Sequence, residues 1–184
     1  MNDLRTNLTV REMLANFLQE DVGAGDITSN TIIPRYLETK AKIICKADNA
    51  IVGGLEEAST LFDICGCNTQ IHVNDGSKIT KGIVVMTITG KARAILKAER
   101  TALNLIMRMS GIATETRYMA DLVKDVTLLA TRKTAPGLRY FDKKAVTLGG
   151  GATHRMQLDD MVLIKDNHLA LTGALGKSVS LAKK

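Results

Sequence analysis

Aromatic side chains make up only 3% of the 184 residues and tryptophan is absent, so the chain has few flat surfaces for stacking bases. That scarcity argues against nucleic-acid binding. Two prolines and no low-complexity tract leave no room for a proline-rich linker, and no internal repeat is visible. Apolar runs all fall short of the ~18 to 20 residues that span a bilayer, and the opening MNDLRTNLTVREML lacks the basic-then-apolar order of a signal peptide. The expected address is the cytoplasm, with no membrane contact. Cysteine is scarce and odd in number: Cys45, Cys65 and Cys67 are expected to be free thiols rather than a disulfide framework.

What is present is a chain 45% hydrophobic, enough for one large domain or two small ones. The net charge of +6 is spread along the sequence rather than gathered in a tail, which suits small anionic substrates. Val10, Met13, Leu14, Phe17 and Leu18 recur at helical spacing and predict a helix over residues 9–19, ended by the glycines after Asp21. Branched stretches at 42–45, 51–52, 71–73 and 83–89 predict strands. Gly53-Gly54, Asn74-Asp75-Gly76 and Gly82 mark the turns between them, the second as a hairpin turn, and a helix over 55–62 lies among the strands. A mixed α+β unit thus covers roughly the first ninety residues.

Strong helix formers predict a helix over 93–108, broken at Ser110-Gly111, and a second over 114–124. After it the pattern becomes strand (126–130), helix (137–147), the run Gly149-Gly150-Gly151, strand (161–164) and a last helical stretch. Alternation of this kind predicts parallel β/α units, though two are too few to close a barrel of about eight strands.

Thr131-Arg132-Lys133-Thr134 directly follows the first of these predicted strands and Lys165-Asp166-Asn167-His168 the second. Parallel strands would bring both groups to the C-terminal edge of one sheet, where β/α folds build their sites. His154-Arg155 lies between them. Arg132, Lys133, His154, Arg155 and Lys165 would then converge on a cavity for a substrate with several negative charges. Singly, each is a solvated surface charge by default; together they make a site. His154 and His168 have no Cys or His at metal-ligand spacing, so no protein-bound metal is expected, and Cys65-Gly66-Cys67 is read as structural. The triple glycine matches no nucleotide fingerprint and is either a phosphate cradle or a closely packed turn.

Six strings, EDVGAGDITS (20–29), ERTALN (99–104), SGIAT (110–114), TRKTAPGLR (131–139), GGGATHRMQLDD (149–160) and LIKDNH (163–168), resemble in order and spacing those of the quinolinate phosphoribosyltransferases. The resemblance implies an α/β fold: an N-terminal α/β sandwich with its linking helix (residues 1–112), then part of an open β/α barrel (113–184), in a homodimer. It implies transfer of phosphoribose from 5-phosphoribosyl 1-pyrophosphate to quinolinate with decarboxylation, in NAD biosynthesis, with Mg²⁺ accompanying the pyrophosphate substrate.

By motif, Arg132, His154 and Arg155, with Thr131 nearby, resemble the groups that hold the two quinolinate carboxylates. Lys133 and Lys165 resemble catalytic lysines between quinolinate and the pyrophosphate, and Arg100 resembles an arginine that reaches into the neighbouring subunit's site. The resemblance also implies that the acidic ribose- and metal-binding residues and the 5-phosphate loops come from later strands, so a truncated barrel with uncovered strand edges is expected. Two alternatives remain. A molybdate-transport-associated relative shares the glycines and the HR pair, though LIKDNH favours the quinolinate enzyme; a non-catalytic dimerisation module need not bind quinolinate at all.

Overall fold

The computed structural model describes residues 9–123 and 125–183. Thr9 and Glu12 open helix α1 (Val10–Val22) with a reciprocal cap: Thr9 Oγ1 accepts from the Glu12 amide at 3.3 Å, and the Glu12 carboxylate accepts from the Thr9 amide at 2.6 Å. Leu14 and Leu18, one turn apart, are buried. Gly23 ends the helix at φ +55°, and Asp26 starts the short α2 (Ile27–Ile32) by accepting from the Ser29 amide at 2.9 Å.

Strands β1 (Glu38–Ile44), β3 (Asn68–Ile71) and β5 (Val84–Lys91) form an antiparallel sheet in the order β1-β5-β3, with Lys42 and Gln70 both opposite Thr87. The central strand is covered on both faces, since Val85, Met86, Thr87 and Ile88 are all buried. A smaller antiparallel pair joins β2 (Ala50–Ile51) to β4 (Lys78–Ile79). Helix α3 (Leu55–Ile64) lies between β2 and β3 in sequence and buries Leu55, Ala58, Leu61 and Phe62. Asn74-Asp75-Gly76 does form a turn, closed by the Ser77 amide on the Asn74 carbonyl at 3.1 Å. It is not a hairpin turn, because β3 and β4 on either side belong to different sheets. Asp75 instead caps α3, its Oδ1 accepting from the Leu55 amide at 3.0 Å, a task that Gly54 has no side chain to perform.

One 31-residue helix, α4 (Ala92–Leu122), replaces the two helices expected on either side of Ser110-Gly111. Its buried stripe runs on through Leu105, Ile106, Met109, Ala113 and Thr116, so packing outweighs the ~1 kcal/mol that a helical glycine costs. Ser110 faces inward: its Oγ accepts from the Gly53 amide at 3.0 Å and donates to the Gly53 carbonyl at 3.3 Å. Close approach explains Gly54 too, where a Cβ would lie 3.1 Å from Met109 Sδ and 3.3 Å from the backbone of α4. Lys124, the expected end of the second helix, lies outside the described residues.

A parallel β/α unit follows: β6 (Leu129–Ala130), α5 (Arg139–Leu148) and β7 (Ala152–Thr153), with Leu129 opposite Ala152. The strand expected over 126–130 is thus reduced to its last two residues. The strand expected over 161–164 does not form, and β7, directly after the glycines, takes its place. A strand exists by pairing, and no described residue pairs with 161–164; Val162 is 69% exposed. Helices α6 (Asp166–Thr172) and α7 (Leu175–Ala182) complete the chain, leaving Leu171 and Leu175 exposed.

The triple glycine is a packing device. A Cβ on Gly149 would collide with the Ala113 carbonyl and sit 2.6 Å from Thr116 Cβ, and one on Gly151 would sit 2.6 Å from Val146 Cγ1. The main core runs from Leu14, Leu55 and Met86 through Met109 to Phe141 and Ala145 of α5. Among the described residues no helix is long and apolar enough to cross a membrane, and the three cysteines are free.

Candidate functional site

Because β6 and β7 are parallel neighbours, the residues after each emerge at the same sheet edge. Thr131-Arg132-Lys133 follows β6 and His154-Arg155 follows β7; the His154 amide donates to the Ala130 carbonyl at 3.3 Å. The two groups expected to share an edge are 131–134 and 165–168; because 161–164 is not a strand, that pairing of strand ends is absent, and it is His154-Arg155, after β7, that shares the edge with Thr131-Arg132-Lys133. Lys165 is exposed at the start of α6, its amide donating to His168 Nδ1 at 3.0 Å, and it makes no hydrogen bond to the other candidates. Arg100 is exposed on α4, without a hydrogen bond or ion pair among the described residues.

Thr131 is exposed, and its Oγ1 accepts from the Lys133 amide at 3.1 Å, tightening the turn while the Lys133 side chain faces solvent. Arg132 is half-buried, and its buried Nε has no hydrogen-bond partner among the described residues. An orphaned guanidinium nitrogen invites an acceptor from outside the chain. Arg155 is buried at 7% exposure; its Nη1 donates to the Met161 carbonyl at 3.2 Å, and it lines a cavity of about 340 Å³ with Leu158, Met161, Ile164 and His168. His154 is half-buried beside it.

Two basic residues outside the candidate set complete the group. Arg139 donates from Nε to Thr134 Oγ1 at 3.3 Å and from Nη1 to the Met156 carbonyl at 2.9 Å, tying the 131–139 segment to the turn after β7. Lys143, on α5, is 1% exposed, and its ammonium donates to the carbonyls of His154 at 2.9 Å and Arg155 at 2.6 Å. Burial, and after it the nearby Arg139 guanidinium, pull its pKa below the usual lysine value; Asp160 works against the shift and Arg132 adds to it. Asp160 Oδ2 itself accepts from the Met156 and Gln157 amides at 2.5 and 3.1 Å. The motif string TRKTAPGLR contained Arg139, but a lysine on an amphipathic helix reads as a solvated charge, so Lys143 was not to be found by periodicity.

Metal binding by this chain has one geometric candidate among the described residues, Glu56, Glu57 and Asp75. An ammonium already fills it: Lys144 Nζ lies 2.6 Å from Glu56, 2.7 Å from Glu57 and 3.9 Å from Asp75. The basic cluster at the β6 and β7 edge offers donors, not carboxylate ligands, so these residues do not fit a protein-held Mg²⁺ ion. Chemically the edge presents guanidinium and ammonium donors, whose planar forks are of the kind that suits carboxylates.

Comparison with known proteins gives the same direction. Residues 26–110 match the family described as quinolinate phosphoribosyl transferase, N-terminal domain, and residues 112–184 match its C-terminal domain. Quinolinate phosphoribosyltransferase (decarboxylating) 1b of Nicotiana tabacum is 46% identical over 166 residues, which are 89% of this chain and 47% of that protein. The chloroplastic nicotinate-nucleotide pyrophosphorylase (carboxylating) of Arabidopsis thaliana is 44% identical over 165 residues, 88% of this chain and 47% of its own. Among solved structures, NadC from Streptococcus pyogenes superposes with a TM-score of 0.88 at 33% identity, covering 95% of this chain and 64% of that one. The chain spans about half the length of the curated plant relatives it matches.

Proposed function

Because the chain belongs to the quinolinate phosphoribosyltransferase family, we propose that it carries the quinolinate pocket of an enzyme that transfers phosphoribose to quinolinate with loss of CO₂. Its fold is that of the solved relatives, an N-terminal α/β sandwich followed by part of a β/α barrel. The observation that carries the reading is the basic edge: Arg132 with its orphaned Nε, buried Arg155, and Lys133 and His154 at the ends of two parallel strands. Quinolinate is a planar dianion, and two guanidinium forks fix its ring more firmly than ammonium groups would.

In the proposed reaction the ring nitrogen forms its bond to C1 of the phosphoribosyl group as the bond to pyrophosphate breaks. The nitrogen is then cationic. When the adjacent carboxylate departs as CO₂, the electron pair it leaves is stabilised by that ring, and a proton takes the vacated carbon, giving nicotinate mononucleotide. No side-chain nucleophile is required, so the chain's task is to orient the ring and neutralise charge. Arg132, Arg155, His154 and Thr131 are assigned to the carboxylates, and Lys133 and Lys165 to the space between quinolinate and pyrophosphate. Arg100 is assigned to the site of a second copy in a homodimer. Mg²⁺ is proposed to travel with the pyrophosphate substrate. The proposed address is the cytoplasm, where the free thiols would stay reduced. The matches do not favour the molybdate-transport relative.

Calorimetric titration of this chain with quinolinate and with nicotinate, which has one carboxylate fewer, tests the assignment. Arg132→Ala or Arg155→Ala should weaken quinolinate binding by about 2 to 4 kcal/mol and nicotinate binding much less. Equal losses would refute the dicarboxylate pocket, and no quinolinate binding by the unmodified chain would favour the dimerisation module.

A further inference from the structure

We infer that Lys143 is a positioning residue of the anion site, one that fixes the His154-Arg155 segment and adds a buried positive charge behind it; the inference rests on the quinolinate reading above. Lys143 is the most deeply buried cation among the described residues, at 1% exposure. Its acceptors are two successive main-chain carbonyls, of His154 and Arg155, at 2.9 and 2.6 Å. Holding both carbonyls stops the peptide planes on either side of Arg155 from rotating, which fixes the directions in which the His154 and Arg155 side chains leave the backbone. A merely structural tether would not call for a charge, since a buried ammonium loses its hydration and two neutral carbonyls do not return it.

The charges around Lys143 make the point sharper. Arg132 and Arg139 of the 131–139 segment repel it, and Asp160 after β7 attracts it. Asp160, which also accepts from the Met156 and Gln157 amides, brings one negative charge against those of Lys143, Arg132 and Arg139, and Arg108 of α4 is already neutralised by Asp142. The set retains excess positive charge. A bound dianion would supply the missing negative charge and, by linkage, should raise the Lys143 pKa that burial and its neighbours have lowered.

Lys143→Met keeps length and volume while removing the charge and the donors. Urea denaturation establishes whether the variant folds, and calorimetry measures its affinity for quinolinate and nicotinate. The expected result is a loss of quinolinate affinity of about tenfold or more, with a smaller loss for nicotinate. In the unmodified chain, NMR titration of the Lys143 side chain should give a higher pKa with quinolinate bound than without it, a readout that does not depend on the variant folding. Wild-type binding with unchanged affinity in Lys143→Met, or with no movement of the Lys143 pKa, would overturn this role while leaving the quinolinate reading intact. Absence of wild-type binding would overturn both.

Discussion

Arg108 of α4 and Asp142 of α5 form a two-pronged ion pair, Nε to Oδ1 at 2.7 Å and Nη2 to Oδ2 at 2.9 Å. The hydrogen bond to Asp142 raises the guanidinium pKa further above its already high value. Asp142 is only 7% exposed, whereas 38% of the Arg108 side chain meets solvent. Arg108→Met strands a buried carboxylate and should destabilise the chain by about 1 to 3 kcal/mol, the partial exposure of Arg108 holding the loss below that of a fully buried pair. Asp142→Asn, which leaves no buried charge behind, should lose less. Urea unfolding of the two variants checks the order, and a larger loss for Asp142→Asn would contradict it.

Arg100 sits among exposed apolar residues of α4, with Leu96 one turn before it and Met107 two turns after it, 42% and 57% exposed. If this face meets a second copy, as proposed, chains carrying Arg100→Ala should regain quinolinate binding when mixed with chains carrying Arg155→Ala. In the hybrid, one site holds both native arginines. Sedimentation should show the dimer. A mixture that binds no better than either variant alone would assign Arg100 to its own subunit or to structure.

Cys67 is 4% exposed, and burial, helped by the neighbouring Cys65 and Glu38 charges, pushes its thiol pKa from an ordinary 9.0 up to about 11. Between those two values the unfolded chain has given up a proton that the folded chain keeps. The stabilising contribution is therefore complete below pH 9 and lost as the pH climbs toward 11. Cys67→Ala should flatten this part of the stability profile relative to the unmodified chain. Alkylation at pH 8 should also leave Cys67 unmodified longest of the three cysteines. Equal alkylation rates would show that the thiol is not protected.

The elements legible in the sequence are those whose signals are local. Helix α1 could be read because Val10, Met13, Leu14, Phe17 and Leu18 keep their helical spacing. The unbroken course of α4 could not, because what holds Ser110 in the helix is Gly53, 57 residues away. For residues 161–164 the composition was right for a strand, yet composition does not supply a pairing partner. Strand β7 was invisible for the opposite reason: Ala152-Thr153 after three glycines has no branched run, and only the parallel pairing with β6 makes it a strand. The candidate site was legible where a charged residue follows a strand end, as at Arg132. Lys143 was not, since nothing in a sequence distinguishes a lysine pointing into carbonyls from one pointing into water.

Four consecutive side chains of α5 reach four different places. Phe141 packs against Phe17 of α1 with ring centroids 5.6 Å apart and planes tilted by 54°, Asp142 grips α4, Lys143 holds the carbonyls after β7, and Lys144 enters the acidic pocket of α3. Successive residues of a helix are about 100° apart, so these anchors surround the axis and leave no direction in which α5 could turn or slide. Inserting or deleting one residue on the N-terminal side of Phe141 within the helix would have to rotate all four anchors together or break the helix. Chain length here is consequently far less free to drift than side-chain identity, and sequences that keep this arrangement should differ at exposed Thr147 long before they differ in the number of residues between Arg139 and Leu148.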